Sequence, residues 1–242
     1  MTDSDSAVRW RDGVNMEEPL EQPQDWAVED TRAQTITTPY VDAHLVLAQK
    51  PAGVLSVPGL GPRGQDCVAV QLQQRWPDLR VVHRLDMATS GLMVLARGAA
   101  AHRTLSMAFE RRAVHKQYIA VVSGWIEGES GSIELPLAAD WPRRPLQKVD
   151  HEQGKPSITH WRVIQRNVEA GLTRLLLEPL TGRSHQLRVH LATIGHPIIG
   201  DALYAPPQVQ ALAPRLLLHA SRLAFAHPAS GAALVFESAA PF

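Results

Sequence analysis

Between two apolar runs, Val81-Val82 and Leu92 to Ala96, the chain places His83-Arg84-Leu85-Asp86 and then Thr89-Ser90-Gly91. Arg84 and Asp86 are two apart, so on an extended chain both point to one side. As a bare pair, an Arg and an Asp make a surface ion pair or a turn. Their position, where a core strand opens into a Ser-Gly turn, is one where sites concentrate. The chemistry open to Asp86 is that of a carboxylate. Two-carboxylate glycoside hydrolysis stays formally open, but no convincing second carboxylate stands near in the sequence.

A second stretch, TGRSHQLRVHLATIGHP (181–197), predicts a short helix. Ser184 is the expected N-cap, and Leu187, His190, Leu191 and Ile194 recur on one face. Gly195 suits the left-handed C-terminal cap and Pro197 stops continuation. Arg188 lies beside the apolar face, so it emerges at the edge of the core, where a charge needs a partner. Arg183 precedes the cap in the loop, and the helix start offers N–H groups to a phosphate or carboxylate.

Other chemistries find less support. His185 and His190 are five apart, which puts them on different helical faces; Cys67 is the only cysteine and no H-E-x-x-H occurs, so no metal is expected. GLGPRGQD lacks the pattern of a phosphate-binding loop, and no G-x-S-x-G elbow is present. Tyr118, after Lys116-Gln117, opens a strand and reads as a half-buried aromatic.

These residues need elements to hold them. HLVLAQK (44–50) reads as a strand ended by Pro51. Asp66 is the expected N-cap of a helix bearing Val68, Leu72 and Trp76 on one face, closed by Pro77. LMVLA (92–96) is a buried strand, and Ala101, Leu105, Ala108 and Phe109 mark a helix ending in Arg111-Arg112. QYIAVVSGW, SIELPL, ITHWRVIQR, LTRLLLEPL, LLLHASRLAFAHP and ALVFES are further strands. Arg143, Arg144 and Lys148 lie in a polar, basic segment between them. Strands that mostly follow one another directly predict an α+β fold: a largely antiparallel mixed sheet flanked by helices and loops.

Composition sets the bounds. Hydrophobic residues make up 45% and charged ones 20% of 242 residues, as expected of a soluble globular chain. There is no run of eighteen apolar residues and no apolar signal region, and the single cysteine suits a reducing cytoplasm. Of 24 basic and 24 acidic residues, three Arg and nine Asp/Glu fall in residues 1–32, which leaves 21 basic and 15 acidic in 33–242. Residues 1–38 therefore read as an acidic, disordered or loosely docked leader, pinned at most by Trp10 and Trp26, ahead of a domain over 39–242. The basic body is compatible with an RNA partner.

His83-Arg84-Leu85-Asp86 with Thr89-Ser90-Gly91-Leu92 resembles the signature of the RluA-type RNA pseudouridine synthases. Lys50-Pro51-Ala52-Gly53 resembles that family's early loop and Lys116-Gln117-Tyr118 its second motif. Thr181-Gly182-Arg183-Ser184-His185-Gln186-Leu187-Arg188 followed by His190 resembles its third. The motifs stand in the family's order and the resemblance spans about residues 39–242. Asp140-Trp141-Pro142 and Ala213 to Ala220 are similar to the member that modifies both ribosomal and transfer RNA. Gln49 departs from the family's usual Asn before Lys-Pro, and the leader is too short and polar for the RNA-binding S4 domain of some members.

The resemblance implies the pseudouridine synthase fold and isomerisation of uridine in structured RNA, 23S rRNA or the tRNA anticodon stem-loop, by a cytoplasmic monomer without cofactor, metal or membrane. It assigns catalysis to Asp86, as nucleophile or base, with Arg188 balancing its charge and Tyr118 offering a flat face and a hydroxyl. Arg84 is the candidate to replace a flipped base, and Arg143, Arg144, Lys148 and Arg183 are candidate RNA contacts. The alternatives are another RNA class, a non-catalytic RNA-remodelling module and a metal-dependent hydrolase.

Overall fold

The computed structural model describes residues 35–59 and 65–242. The leader expected over 1–38 lies outside the described residues up to 34, as do Trp10, Trp26 and residues 60–64 of the Gly/Pro loop. Strand β1 (Thr37–Val41) begins the described body, and Ile36 already packs on its core.

The alternation of β-branched and aliphatic residues builds a ten-stranded sheet. After β1 come β2 (Leu45–Lys50), β3 (Leu79–Val81), β4 (Ser90–Arg97) and β5 (His115–Ser123). Then follow β6 (Ser130–Glu134), β9 (Ile158–Asn167), β10 (Leu172–Pro179), β11 (Leu218–Ala226) and β12 (Ala233–Glu237), while β7 (Leu137–Ala139) and β8 (Gln147–Val149) form a separate hairpin. The spatial order is β1-β2-β4-β11-β5-β10-β9-β6, with β12 on β11 and β3 on β4. Every described strand pairing is antiparallel except β4 with β11.

That parallel contact sits where the sheet's two halves join. Gly91 pairs with Ala220 there at φ +114°, and a Cβ on Gly91 would lie 2.3 Å from the Ala220 carbonyl oxygen. Only glycine fits this approach. β4 is buried at all but its last residue because both faces are covered. Helix α2 (Gly98–Glu110) lays Ala101 and Leu105 on one side; helix α1 (Val68–Gln73) lays Val68 and Leu72 on the other. Fully buried Leu105 alone contributes about 2 kcal/mol. A third cluster joins β5, β10 and helix α3 (Gln186–Thr193), and Tyr118 packs between it and the α1 cluster. A short helix α4 (Pro207–Gln210) adds Val209. No helix among the described residues is long and apolar enough to cross a membrane.

Three local expectations are corrected. Asp66 does not cap α1: Cys67 is the extended N-cap, and the Asp66 carboxylate instead accepts from Gln71 Nε2 at 2.6 Å. That helix also stops at Gln73, short of Pro77, with Trp76 outside it but packed on the core. SIELPL is two strands, β6 and β7, separated by Leu135-Pro136, because Pro136 has no N–H for a ladder.

Candidate active site

The loop between β3 and β4 is fixed at alternate residues. His83 Nε2 accepts the Val94 amide at 3.0 Å, and burial drives its pKa down to about 3, so the ring is neutral. Leu85 is buried; its amide donates to Ser56 Oγ at 3.0 Å, and that hydroxyl donates back to its carbonyl at 2.7 Å. The Met87 carbonyl accepts from the Gly53 amide at 2.8 Å and from Lys50 Nζ at 3.0 Å. With 83, 85 and 87 held by the body, Arg84 and Asp86 face outward together into one cleft.

Lys50 is wholly buried, and its Nζ also donates to the Pro51 and Val54 carbonyls at 2.8 and 2.7 Å. Burial lowers its pKa to about 7, opposed by the Asp86 charge and reinforced by Arg215. Lys50-Pro51-Ala52-Gly53 thus braces the Asp86 loop from behind. Gln49, the departure from the family pattern, turns away and donates to Ser238 Oγ at 2.6 Å.

Asp86, Tyr118 and Arg188 come together in this cleft, which holds about 100 Å3, with Arg84 and Arg183 on its wall. The Asp86 side chain keeps 26% exposure. Arg188 Nη1 stands 3.6 Å from Asp86 Oδ2 and is almost wholly buried. Burial works against its charge, but Asp201 and Asp86 outweigh that and its pKa is raised. Burial, then the Asp86 charge, raises the Tyr118 pKa, so its hydroxyl stays neutral.

Two site residues escaped the sequence reading. Asp201, fully buried, accepts Arg188 Nε at 2.8 Å and Nη2 at 2.6 Å, a bidentate pairing. Its Oδ1 also accepts the Leu203 and Tyr204 amides at 2.9 and 3.2 Å. Gly200 brings it there at φ +74°, where a Cβ would strike the Arg215 carbonyl. Tyr204 is the second: its hydroxyl accepts the Gln147 amide at 2.9 Å and lies 2.6 Å from His185 Nδ1. The available signal was a carboxylate ending the apolar run Pro197 to Gly200.

His185, not Ser184, occupies the N-cap of α3, in a left-handed conformation (φ 55°). Gln186 folds back over the loop: its Oε1 accepts from Thr181 Oγ1 at 2.8 Å and the Arg183 amide at 3.0 Å. Ser184 Oγ accepts from Arg84 Nη2 at 3.3 Å. The His185 ring points into the cleft with Nε2 3.9 Å from Asp86 Oδ2, and burial lowers its pKa against the pull of Asp86. His190 is a core histidine, bonded to Thr159 Oγ1 and the Leu135 carbonyl, both at 3.0 Å. No three His, Cys, Asp or Glu converge to hold a metal among the described residues.

Arg143, Arg144 and Lys148 do not reach the cleft wall. Arg143 Nε donates to buried Asp140 at 2.7 Å, Arg144 lies 3.3 Å over the exposed Trp141 ring, and Lys148 pairs with Asp150 at 3.1 Å. They border β8, whose Gln147 touches Tyr204.

Residues 44–193 match the family model described as RNA pseudouridylate synthase. The chain is 47% identical over 203 residues to the dual-specificity RNA pseudouridine synthase RluA of Escherichia coli (strain K12), covering 84% of this chain and 92% of that one. It is 50% identical over 194 residues to the protein of the same name from Vibrio vulnificus (strain CMCP6), covering 79% and 78%. The solved structure of human RNA pseudouridylate synthase domain containing 1 superimposes with a TM-score of 0.72 at 29% identity, covering 86% of this chain and 84% of that one.

Proposed function

The chain belongs to the RluA-type RNA pseudouridine synthase family, whose members are isomerases, and from that premise we propose that it uses Asp86 to convert one uridine of a structured loop in ribosomal or transfer RNA. The observation that carries the site assignment is the meeting of Asp86, Tyr118 and Arg188 in one cleft.

Pseudouridine formation breaks N1–C1′ and joins C1′ to C5; a proton leaves C5 and one is gained at N1. Atoms and electrons balance without an oxidant, a reductant or an energy source. Asp86 acts at the ribose as nucleophile or base, and a carboxylate does either only when ionised. The buried Arg188 guanidinium, 3.6 Å away, pairs with the carboxylate and aims it. Tyr118 presents its ring to the uracil and a neutral hydroxyl for proton transfer at C5. A stacked uridine cannot reach Asp86, so the nucleotide leaves its stack at a cost of about a few kcal/mol. Arg84, exposed beside Asp86, fills the vacated place. Arg183 sits on the cleft wall, and Arg143, Arg144 and Lys148 extend the RNA contact along the β7–β8 hairpin. The catalytic unit in this reading is the body over 39–242, behind the acidic leader 1–38, and a cytoplasmic location suits its single buried thiol, Cys67.

Asp86→Asn tests the reading. Pseudouridine, mapped in 23S rRNA and tRNA of cells carrying each version, disappears with the variant while RNA affinity stays within about threefold. Wild-type protein that binds RNA but leaves both classes unmodified would instead make it a remodelling module. Loss of activity on exhaustive chelation would favour a metal-dependent reaction.

A further inference from the structure

A second cleft of about 510 Å3 opens beside the first. The two share a wall made by Arg84, Lys116, Tyr118 and residues 181–183. Beyond that wall the larger cleft is lined by Arg112 and by apolar Val82, Phe109 and Leu180. Phe109 is fixed by His83, stacked on it at 4.4 Å, and Leu180 is 46% exposed.

Its lining is net positive. Arg84, Arg112, Lys116 and Arg183 face one carboxylate, Glu110, and among the described residues none of the four cations is ion-paired. Lys116 is the most confined of them. Its Nζ lies against Gly182, within 4.0 Å of where a Cβ would stand, and burial and the Arg112 charge lower its pKa. Partial burial of the Lys116 ammonium beside the Arg112 charge is unfavourable, and an anion on the shared wall offsets that cost.

We propose that this cleft is a second nucleotide subsite: it takes the base adjoining the target uridine against Val82, Phe109 and Leu180, and the phosphodiester linking the two residues lies on Lys116, Arg84 and Arg183. Adjacent nucleotides share one phosphate, and the two clefts share one basic wall. The proposal rests on the RNA-modifying reading, because it places the target uracil beside Asp86. It extends recognition from one base to a dinucleotide and makes Lys116 and Arg112 substrate contacts.

The test is equilibrium binding of a fluorescent tRNA anticodon stem-loop, compared with stem-loops lacking the base immediately 5′ or immediately 3′ of the target uridine. Wild-type protein should bind one of the two abasic RNAs about fivefold more weakly than the parent. In Lys116→Met that difference should shrink below about twofold, and the salt slope should fall by about 0.7, the value for one single-strand phosphate. Circular dichroism checks its fold; if Lys116→Met does not fold, Arg112→Gln, on an exposed residue, carries the same two readouts. Equal binding of all three RNAs by wild type, or an unchanged penalty and slope in the folded variant, overturns the subsite. Turnover is not needed, so pseudouridine in the parent RNA is scored separately. Its absence alongside the binding pattern would overturn the function and leave the subsite standing.

Discussion

Arg188 gives its two shortest bonds to Asp201, 2.8 and 2.6 Å, and stands 3.6 Å from Asp86. The buried Asp201 sets the guanidinium plane and neutralises it, while Nη1 remains to face the more exposed Asp86. Charge balance at the site is therefore a three-member arrangement. Asp86 can bond a ribose without leaving Arg188 unpaired inside the protein.

Asp201→Asn separates the two carboxylates. It keeps shape but leaves a buried guanidinium with one distant counter-charge, a loss of about 3–5 kcal/mol. For a chain of this size the melting temperature should fall by about 10 °C. At a temperature where the variant is folded, single-turnover conversion should drop about a hundredfold or more with RNA affinity within about threefold. Unchanged conversion would show that Arg188 needs no second carboxylate.

This pairing marks the limit of what the sequence discloses. The convergence of Asp86, Tyr118 and Arg188 was expected from motifs that resemble the family's, and the strands around them from their alternating apolar residues. Asp201 and Tyr204 lie 13 and 16 residues beyond Arg188, and only the fold-back through Gly200 makes them neighbours of it. Ser184 had the type of a cap, but the helix begins one residue later, after the left-handed His185. The parallel β4–β11 joint left no periodic trace, since pairing direction depends on partners far apart in the chain. Arg143 and Lys148 read as part of a basic patch, yet their counter-charges, Asp140 and Asp150, stand within three residues.

Histidines held neutral by burial make the fold acid-sensitive: His185 and His190 are lowered in this way, and His83 and His219 furthest. Burial holds His219 down to about 4, aided by Arg215, and His83 down to about 3. Arg215 donates to Ser90 Oγ at 2.6 Å, so Ser90 directs its own proton to His219 Nδ1 at 2.8 Å, and the ring stays neutral. An unfolded histidine takes its proton near pH 6.5 and these folded ones do not. Their contribution is thus complete above that value and is lost as pH falls toward 4, by about 1.4 kcal/mol per pH unit for each. Urea unfolding between pH 7.5 and 5 should show the decline, and His219→Gln should make its slope shallower.

The hairpin cations should act through charge alone. Arg144→Glu and Lys148→Glu lie on exposed or half-exposed side chains outside the cleft, so folding should be unaffected. RNA affinity should fall for every loop sequence alike, the salt slope should drop by about one per cation lost, and the rate at saturating RNA should hold. A selective loss on one sequence would mean that they read bases.

Arg84 should behave in the opposite way. It is exposed, donates to Ser184 Oγ at 3.3 Å, and lies one residue before the Leu85 anchor that also aims Asp86. A side chain so placed can enter a gap in an RNA stack without disturbing the loop that carries it. Arg84→Ala should leave the melting temperature unchanged and weaken stem-loop binding by about fivefold or less, the worth of a single exposed phosphate contact. Single-turnover conversion of a stacked target should fall much further, because extrusion then lacks its replacement. Placing the target opposite an abasic or mismatched residue lowers the unstacking cost and should restore most of the lost rate. Equal losses in binding and conversion, with no rescue by the unstacked target, would reduce Arg84 to a phosphate contact.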